Sequence, residues 1–555
     1  MSRRPMVVVA LVAVAAAVAA AGIGYAVSRG GSATPTVALG APHFVDETAA
    51  SGIDQVYDGA GTTFAVGGGV AVLDCNGDGR PDIYVAGGSN PAALYRNDSA
   101  VGGALRFTRL GDPVTDLTNV VGAYPIDIDG DANVDLVVLR GGGAEILRGL
   151  GGCRFEPAPA AWSFADPNAW ATSFTAKWEG SAKLPTLAIG HYLKLDASGA
   201  MTTDCADNAL YRPTPDGTGY APPTVLTPGY CALSMLFSDW DRSGRVDLRV
   251  SNDRYYYGTG GEEQLWRVAA GEAPRLYSDA DGWVSLQVFG MGIASYDLAG
   301  NGFPDYFVTS QGDNKLQTLT SGPSQPTYHD IALKSGVNAA RPFTGGEDLP
   351  STAWHPEFQD VNNDGFVDLF MSKGNIYAQT DYATKDPNDL FLGQPDETFK
   401  EAADAAGILN YARGRGAALA DFNLDGMLDL VEVNYGTGVK VWRNVGFGDA
   451  SNPAQMGNWL AIQPIQPGPN RDAIGAWIEV KVGDTTMRRE LTIGGGHAGG
   501  QLGPSHFGLG SAAAAQVRVL WPDGEVGPWI HVTANQYVGI ERGSTDASPL
   551  PLPKS

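Results

Sequence analysis

The four cysteines form no Cys-x-x-Cys pair, which excludes a zinc site built on paired thiolates. The seven histidines are His43, His191, His329, His355, His497, His506 and His531. They make neither His-x-His nor His-Glu-x-x-His, so the usual catalytic zinc signatures are missing. No Gly-x-Ser-x-Gly occurs, and with it goes the nucleophile elbow of a serine hydrolase. Positive charge is short: 37 Lys and Arg stand against 61 Asp and Glu, a net −24. That is the wrong sign for nucleic acid, whose binding depends on neutralising phosphates. After the first thirty residues or so, no apolar run is a convincing membrane span.

Glycine (74) and proline (35) are plentiful instead, which favours many short strands joined by turns. A length of 555 residues implies roughly three or four domains of about 150 residues unless a repeat overrides that estimate.

The chain opens with Arg3 and Arg4 before an Ala/Val-rich run from Met6 to Val27, the pattern of an export signal. The run is also long enough to cross a bilayer, about twenty residues. Residues 1–28 are therefore expected to be either a cleaved signal peptide or a retained anchor with its arginines inside. A polar linker follows over 29–43. Either way the rest of the chain is expected to be extracytoplasmic, secreted or anchored, touching membrane only through this segment. Export permits disulfides. Cys205 and Cys231, close in sequence, are the first expected pair, Cys75 and Cys153 the second; free thiols are the alternative.

One pattern recurs: Asp-x-Asn/Asp-x-Asp-Gly-x-x-Asp, then an apolar β-prone run. The first copy holds Asp74, Asn76, Asp78, Arg80 and Asp82 at positions 1, 3, 5, 7 and 9. The second holds Asp127, Asp129, Asp131, Asn133 and Asp135. Later copies hold Asp239, Asp241, Ser243, Arg245 and Asp247; then Asp360, Asn362, Asp364, Phe366 and Asp368; then Asp421, Asn423, Asp425, Met427 and Asp429. A weaker copy keeps Asp297, Asn301 and Asp305 but has Ala299 at position 3. A degenerate one runs from Lys177 to Pro185. The starts lie 53, 50, 62, 58, 63 and 61 residues apart, the regularity of a repeat fold.

The spacing suits calcium, which takes six to eight hard oxygens at roughly 2.3–2.6 Å. Alternate side chains of a tight loop point at one centre, position 7 offers its carbonyl, and glycine at position 6 permits the sharp turn. An EF-hand would need flanking helices and a glutamate at position 12; here the flanks are strand-like. The loops beginning at Asp74, Asp127, Asp360 and Asp421 are expected to bind most strongly. Asp239 should be weaker because Ser243 is neutral, Asp297 weakest of the acidic copies, and Lys177 empty.

Each unit also carries a Gly-rich strand before the loop, such as Gly67 to Val72. A strand ending in an aromatic follows, such as Leu94-Tyr95-Arg96-Asn97, and a fourth begins at Phe107, Phe155 or Phe399. Four antiparallel strands per unit make a propeller blade. The segment Phe44 to Ile53 resembles Phe399 to Ile408 and Tyr328 to Val337. It is therefore expected to supply the outer strand that the seventh unit lacks, closing the ring over 44–450. The fold class is thus all-β: a seven-bladed propeller, a small sandwich-like β-domain over 455–542 and a disordered end over 543–555. With alternating strands of its own at Ala476 to Val482 and Val517 to Trp521, the β-domain is expected to survive as a separate unit.

These units resemble FG-GAP/VCBS repeats, the calcium-bearing propeller units also seen in integrin α chains. The tail resembles the ASPIC/UnbV domain through Asn458-Trp459-Leu460, Asn470 to Ala476, His506-Phe507-Gly508-Leu509-Gly510 and Val519 to Gly524. The combination is similar to the cartilage acidic protein family and its bacterial relatives. Gly494-Gly495-Gly496-His497 departs from the family, which tends to have a tyrosine after the glycines. The resemblance implies several bound calcium ions, an extracytoplasmic site and a binding or scaffold role toward a protein, glycan or small molecule. Some bacterial relatives sit beside natural-product pathways. The alternative is therefore a calcium-stabilised tailoring enzyme with its site in the funnel, where His355 with Glu357 is the residue to watch.

Overall fold

The computed structural model describes residues 37–553 except 60–63, 168, 254–259, 285 and 346. The expected export segment lies outside the described residues. In every unit the apolar run before the loop and the run after it pair antiparallel, so the loop closes one end of a hairpin. Two further strands extend each hairpin into a sheet, giving seven sheets of this kind. Blade 1 runs through Val70–Leu73, Asp82–Val85, Ala93–Asn97 and Phe107–Leu110. Blade 6 runs through Ala353–Gln359, Asp368–Lys373, Asp389–Gly393 and Phe399–Glu401.

The first strands of successive blades touch one another, and that of blade 7, Arg413–Ala420, touches Val70–Leu73 of blade 1. The ring is thereby closed. Its seventh blade is composite: Phe44 pairs with Asn444, Val45 with Arg443 and Asp46 with Trp442. Phe44 is buried among Phe370, Leu390, Leu419 and Trp442, which anchors the N-terminal strand between blades 6 and 7. Blade 3 carries an extra strand, Met201–Cys205, on an extended hairpin, which accounts for its long repeat interval.

Both cysteine pairs are disulfides. Cys205–Cys231 ties the blade 3 hairpin to the entry of blade 4. Cys75–Cys153 ties position 2 of the first loop to the turn leading into Phe155 of blade 2.

The tail has two four-stranded sheets facing a core of its own that includes Leu460, Ile478, Val517, Val519 and Val538. Two expectations about it are corrected. Residues beyond 542 are packed up to 553: Ser548–Pro549 pairs with Gln536–Glu541, and Leu550 and Leu552 lie against Trp459 and Tyr537. Nor does the tail stand apart as a separate unit. Its segment Leu491 to Leu502 runs into the axis of the ring. Ile493 bridges Ala176 of blade 3, Gly494 bridges Leu236 of blade 4, and Gly496 bridges Ile293 of blade 5. Gly499 bridges Ala123 of blade 2, and Gln501 bridges Val72 of blade 1. The amide of His497 donates to His355 Nδ1 of blade 6 at 3.1 Å. The same segment borders Gly416 of blade 7, where an added Cβ would lie 3.2 Å from the His497 carbonyl. All seven blades therefore hold this plug. It also explains the glycines of the first strands: a Cβ on Gly69 or Gly122 would collide with the Ala498 carbonyl.

Burial of polar groups inside the ring is compensated in pairs. Between blades 2 and 3, His191 Nε2 donates to Asp166 at 3.0 Å and Nδ1 donates to the Asp207 carbonyl at 2.8 Å. Asp166 also accepts from Tyr211 and from the Ala144 amide. Both ring nitrogens face acceptors, so the ring is an imidazolium. Burial opposes that charge, but the hydrogen bond and charge of Asp166 outweigh it and raise the histidine above its usual value. The stabilisation is therefore complete below about pH 6.5 and is lost as pH rises through the folded-state value. The variant H191A is expected to lose about 3–5 kcal/mol at pH 6, the cost of stranding a buried charge. Urea melts of both proteins at pH 6 and pH 9 check this: the gap should narrow at the higher pH, and an unchanged gap would sink the assignment.

Candidate metal centre

Loops 1 to 7 lie one per blade, and the six acidic ones share a backbone conformation that brings their acidic side chains inward. Position 4 is left-handed in all six acidic copies: Gly77, Gly130, Arg242, Gly300, Asn363 and Leu424 have φ between 56° and 75°. Position 6 is left-handed as well, at Gly79, Gly244, Gly302, Gly365 and Gly426, and at Ala132 with φ 73° in loop 2. The first aspartate gathers loop amides. Asp74 accepts from Gly77 at 2.8 Å and Gly79 at 2.7 Å, and Asp360 accepts from Asp364 at 3.1 Å and Gly365 at 2.8 Å. The ninth begins the next strand and bridges two amides, as Asp82 does with Cys75 and Asn97, and Asp429 with Phe422 and Asn444.

These carboxylates are buried close together. Oxygens of Asp127, Asp129 and Asp135 lie within 4.8 Å of one another. Burial, and after it the neighbouring carboxylates, pushes Asp82 up to about 7 and Asp135 up to about 8. The same causes drive Asp360, Asp368 and Asp429 well above the carboxylate range. The donors are all hard oxygen. In loop 7 the Asn423 Oδ1 is buried without a hydrogen-bond partner, and in loop 5 so is Asp297 Oδ1. An unmet buried acceptor is costly, and a hard cation bound by Asp421, Asn423, Asp425 and Asp429 would meet it. The residues fit calcium.

The loops differ in what else neutralises them. Arg148, which lies outside the nine residues of loop 2, donates to Asp129 at 2.7 Å and Asp131 at 2.8 Å. In loop 4, Arg245 reaches Asp241 at 2.9 Å and Asp247 at 3.3 Å, while Asp247 also accepts from Trp240 and Tyr277. In loop 5, Asp297 meets Arg488 of the tail at 3.1 Å. In loop 3, Lys177 donates to the Val246 and Val268 carbonyls of blade 4, and burial lowers it to about 8. Loop 1 has a single contact of Arg80 with Asp78 at 3.3 Å. Loops 6 and 7 show no such ion pair among the described residues. Loop 2 therefore ranks lower than its five oxygen donors suggest. The variant R148A is expected to raise its calcium affinity roughly fivefold, since each part-exposed pair contributes about 0.2–1 kcal/mol. Titration calorimetry checks this, and an unchanged or weaker affinity would show that the arginine does not compete.

The tail sits on the face that carries the loops. Tyr537 donates to Asp421, His506 Nε2 lies 2.6 Å from Asn363 Oδ1, and Glu490 accepts from Ser238 and from the Asp239 amide. Trp459 stacks on His506 at 5.8 Å, and a Cβ on Gly426 would collide with its ring. A cavity of about 470 Å³ remains between ring and tail, bordered by His355, Glu357, Arg489, Gln501 and Asp127. His355 is poorly placed as a base there. Its Nδ1 accepts the His497 amide, which leaves the proton on Nε2, 3.5 Å from Glu357.

Residues 74–138 and 360–432 match the FG-GAP-like repeat family, spanning loops 1, 2, 6 and 7. Residues 466–547 match the ASPIC and UnbV family, which includes the plug. The chain carries FG-GAP-like repeats and an ASPIC and UnbV domain. It is similar to cartilage acidic protein 1 of Homo sapiens, 26% identical over 239 residues, which cover 43% of this chain and 33% of that one. The Xenopus tropicalis cartilage acidic protein 1 is 26% identical over 220 residues, covering 37% and 31%. The match thus spans about a third of these relatives. Among solved structures, Saccharomyces cerevisiae Sqt1 superposes with a TM-score of 0.41 at 11% identity, over 74% of this chain and all of that one. In this setting the FG-GAP-like loops and the ASPIC and UnbV domain share one interface, a fact that neither pattern discloses separately.

Proposed function

We propose that the chain is an exported, calcium-stabilised binding or scaffold module whose partner meets the ring on the face away from the ASPIC and UnbV domain or on its outer rim. The observation that carries this is the plug. The channel, where a propeller would house a small substrate, is filled by Ile493 to Gln501, hydrogen-bonded to the first strands around it. The loop face is covered as well. The strand connections 86–92, 311–314, 374–388 and 436–439 emerge at the other end, where Asn90, Asp313, Asp381, Lys385 and Thr437 are exposed to a protein or glycan. The N-terminal apolar run and the two disulfides support placement outside the cytoplasm.

The test immobilises the full extracytoplasmic chain in calcium and passes an extract of its own cells over it. The expected result is a partner retained unaltered and lost when the far-face connections 374–388 are substituted. Consumption of a small molecule, with its product identified, would overturn this in favour of a tailoring enzyme acting in the cavity beside His355.

A further inference from the structure

The two acidic loops with no ion pair among the described residues, 6 and 7, stand at the two junctions of the blade that the chain assembles from both its ends. The lead-in to the N-terminal strand crosses loop 6. There the Leu39 amide donates to Asp364 Oδ2 at 2.7 Å, and the Gly40 carbonyl accepts from Asn362 Nδ2 at 3.3 Å. The lead-in to the outer strand of blade 1 crosses loop 7 in the same manner. Asn423 Nδ2 donates to the Gly103 carbonyl at 2.9 Å, and the Gly102 amide donates to the Asn423 carbonyl at 2.8 Å. Gly40 stands four residues before Phe44, as Gly103 stands four before Phe107. A second tie repeats at both junctions: Asn444 donates to the Val361 carbonyl of loop 6 at 2.9 Å, and Asn97 donates to the Phe422 carbonyl of loop 7 at 2.8 Å. Thus the asparagine at position 3 turns its amide nitrogen to the next blade. Its oxygen is left for the loop interior, and in loop 7 that oxygen is the buried acceptor without a partner.

We propose that cations in loops 6 and 7 are staples between blades, and that the one in loop 6 fastens Leu39–Gly40 and with it the strand that completes blade 7. This rests on the calcium reading of the loops given above. Asn362 and Asp364 each hold the lead-in with one end and face the loop with the other, so whatever orders them orders the lead-in. Without the cation, Asp360, Asp364 and Asp368 repel one another in a buried site. The strand itself keeps its edge pairing, Phe44 and the ion pairs of Asp46 with Lys440 and Glu47 with Arg443, but Leu39–Gly40 loses what orders its partners. Calcium binding and fastening of the lead-in become one event.

The test treats the full chain with elastase, which cuts after small residues and so addresses Val37 to Gly40, while native mass spectrometry counts bound calcium. Cleavage of a briefly opened segment tracks its open population. Chelation is expected to speed cleavage of the lead-in about tenfold or more, a factor of ten being 1.4 kcal/mol. The variant D364N should lose one calcium and all calcium protection of the lead-in, whereas D131N in loop 2 should leave that protection intact. If calcium binds and D364N removes one ion, yet the wild-type lead-in is cut equally fast with and without chelator, the staple is wrong and the calcium reading stands. If the wild type binds no calcium, both fall.

Discussion

Chelation of the purified chain is expected to lower its melting temperature by about 7 °C. Loops 1, 6 and 7 are the acidic copies that carry a side-chain oxygen at positions 1, 3, 5 and 9 with no guanidinium spanning two of them. A site held at about 100 times its dissociation constant adds roughly 2.7 kcal/mol, so three independent sites add about 8 kcal/mol. An unfolding entropy of about 2.1 cal/mol/K per residue, over the roughly 500 described residues, converts that into a shift of this size. Extracellular calcium modules bind at about 10⁻⁴–10⁻³ M, so the reference state needs about 10 mM calcium for the tighter end of that range. The measurement is differential scanning calorimetry in calcium and in chelator, with magnesium as a third arm. Magnesium demands a smaller, near-octahedral shell and should restore little. Equal melting in all three would remove the metal from these loops and leave their carboxylates with only the task of holding amides.

The repeat was legible because its determinants are local. The ninth aspartate, the left-handed glycine and the apolar run after them lie within a dozen residues, and the six acidic copies preserve them save for Ala132 at the glycine position of loop 2. Closure was legible for the same reason: Phe44 to Ile53 carries the signature of an outer strand wherever it sits in the chain. The plug was not. Gly494 to Gly500 looks like a flexible loop, since nothing in its own composition says what it will touch. Its partners, Gly69, Gly122, Met235, Ile293 and His355, are spread over most of the ring. The glycines of the first strands did carry a signal, but crowding at the axis accounted for them equally well. Arg148 and Arg488 were missed because each enters its loop from another strand, one from within the same blade and one from the tail. The alternating strands of the tail implied a unit with its own core, which it has. They did not reveal that Trp459 and His506, marks of the tail's own pattern, and Arg489 and Glu490 beside the plug are spent on the ring.

The plug is expected to make the ring and the tail unfold together, and glycines far from the tail in sequence test this. Gly69 and Gly122 lie on the first strands of blades 1 and 2, and a Cβ on either meets the same obstacle, the Ala498 carbonyl. Neither has a positive φ, so alanine is tolerated by the backbone and the plug is the main obstacle, with the Gly122 Cα 3.1 Å from a Cβ on Gly69 a lesser one. Forcing an extra carbon into a packed site costs about 1–3 kcal/mol. G69A and G122A are each expected to lose that much. The double variant should lose less than the sum, because displacing Ala498 for one relieves the other. Gly503, just beyond the plug, has nothing within 4 Å of its added Cβ, and G503A serves as the neutral control. Tryptophan fluorescence can follow both parts, through Trp354 in blade 6 and Trp477 and Trp521 in the tail core and its margin. The expected result is a single transition that moves to lower temperature in both glycine variants. A tail that keeps its own melting temperature while the ring destabilises would mean that the plug occupies the axis without coupling the two. Each part would then owe its stability to its own core, and the channel would be open to a ligand whenever the segment withdrew.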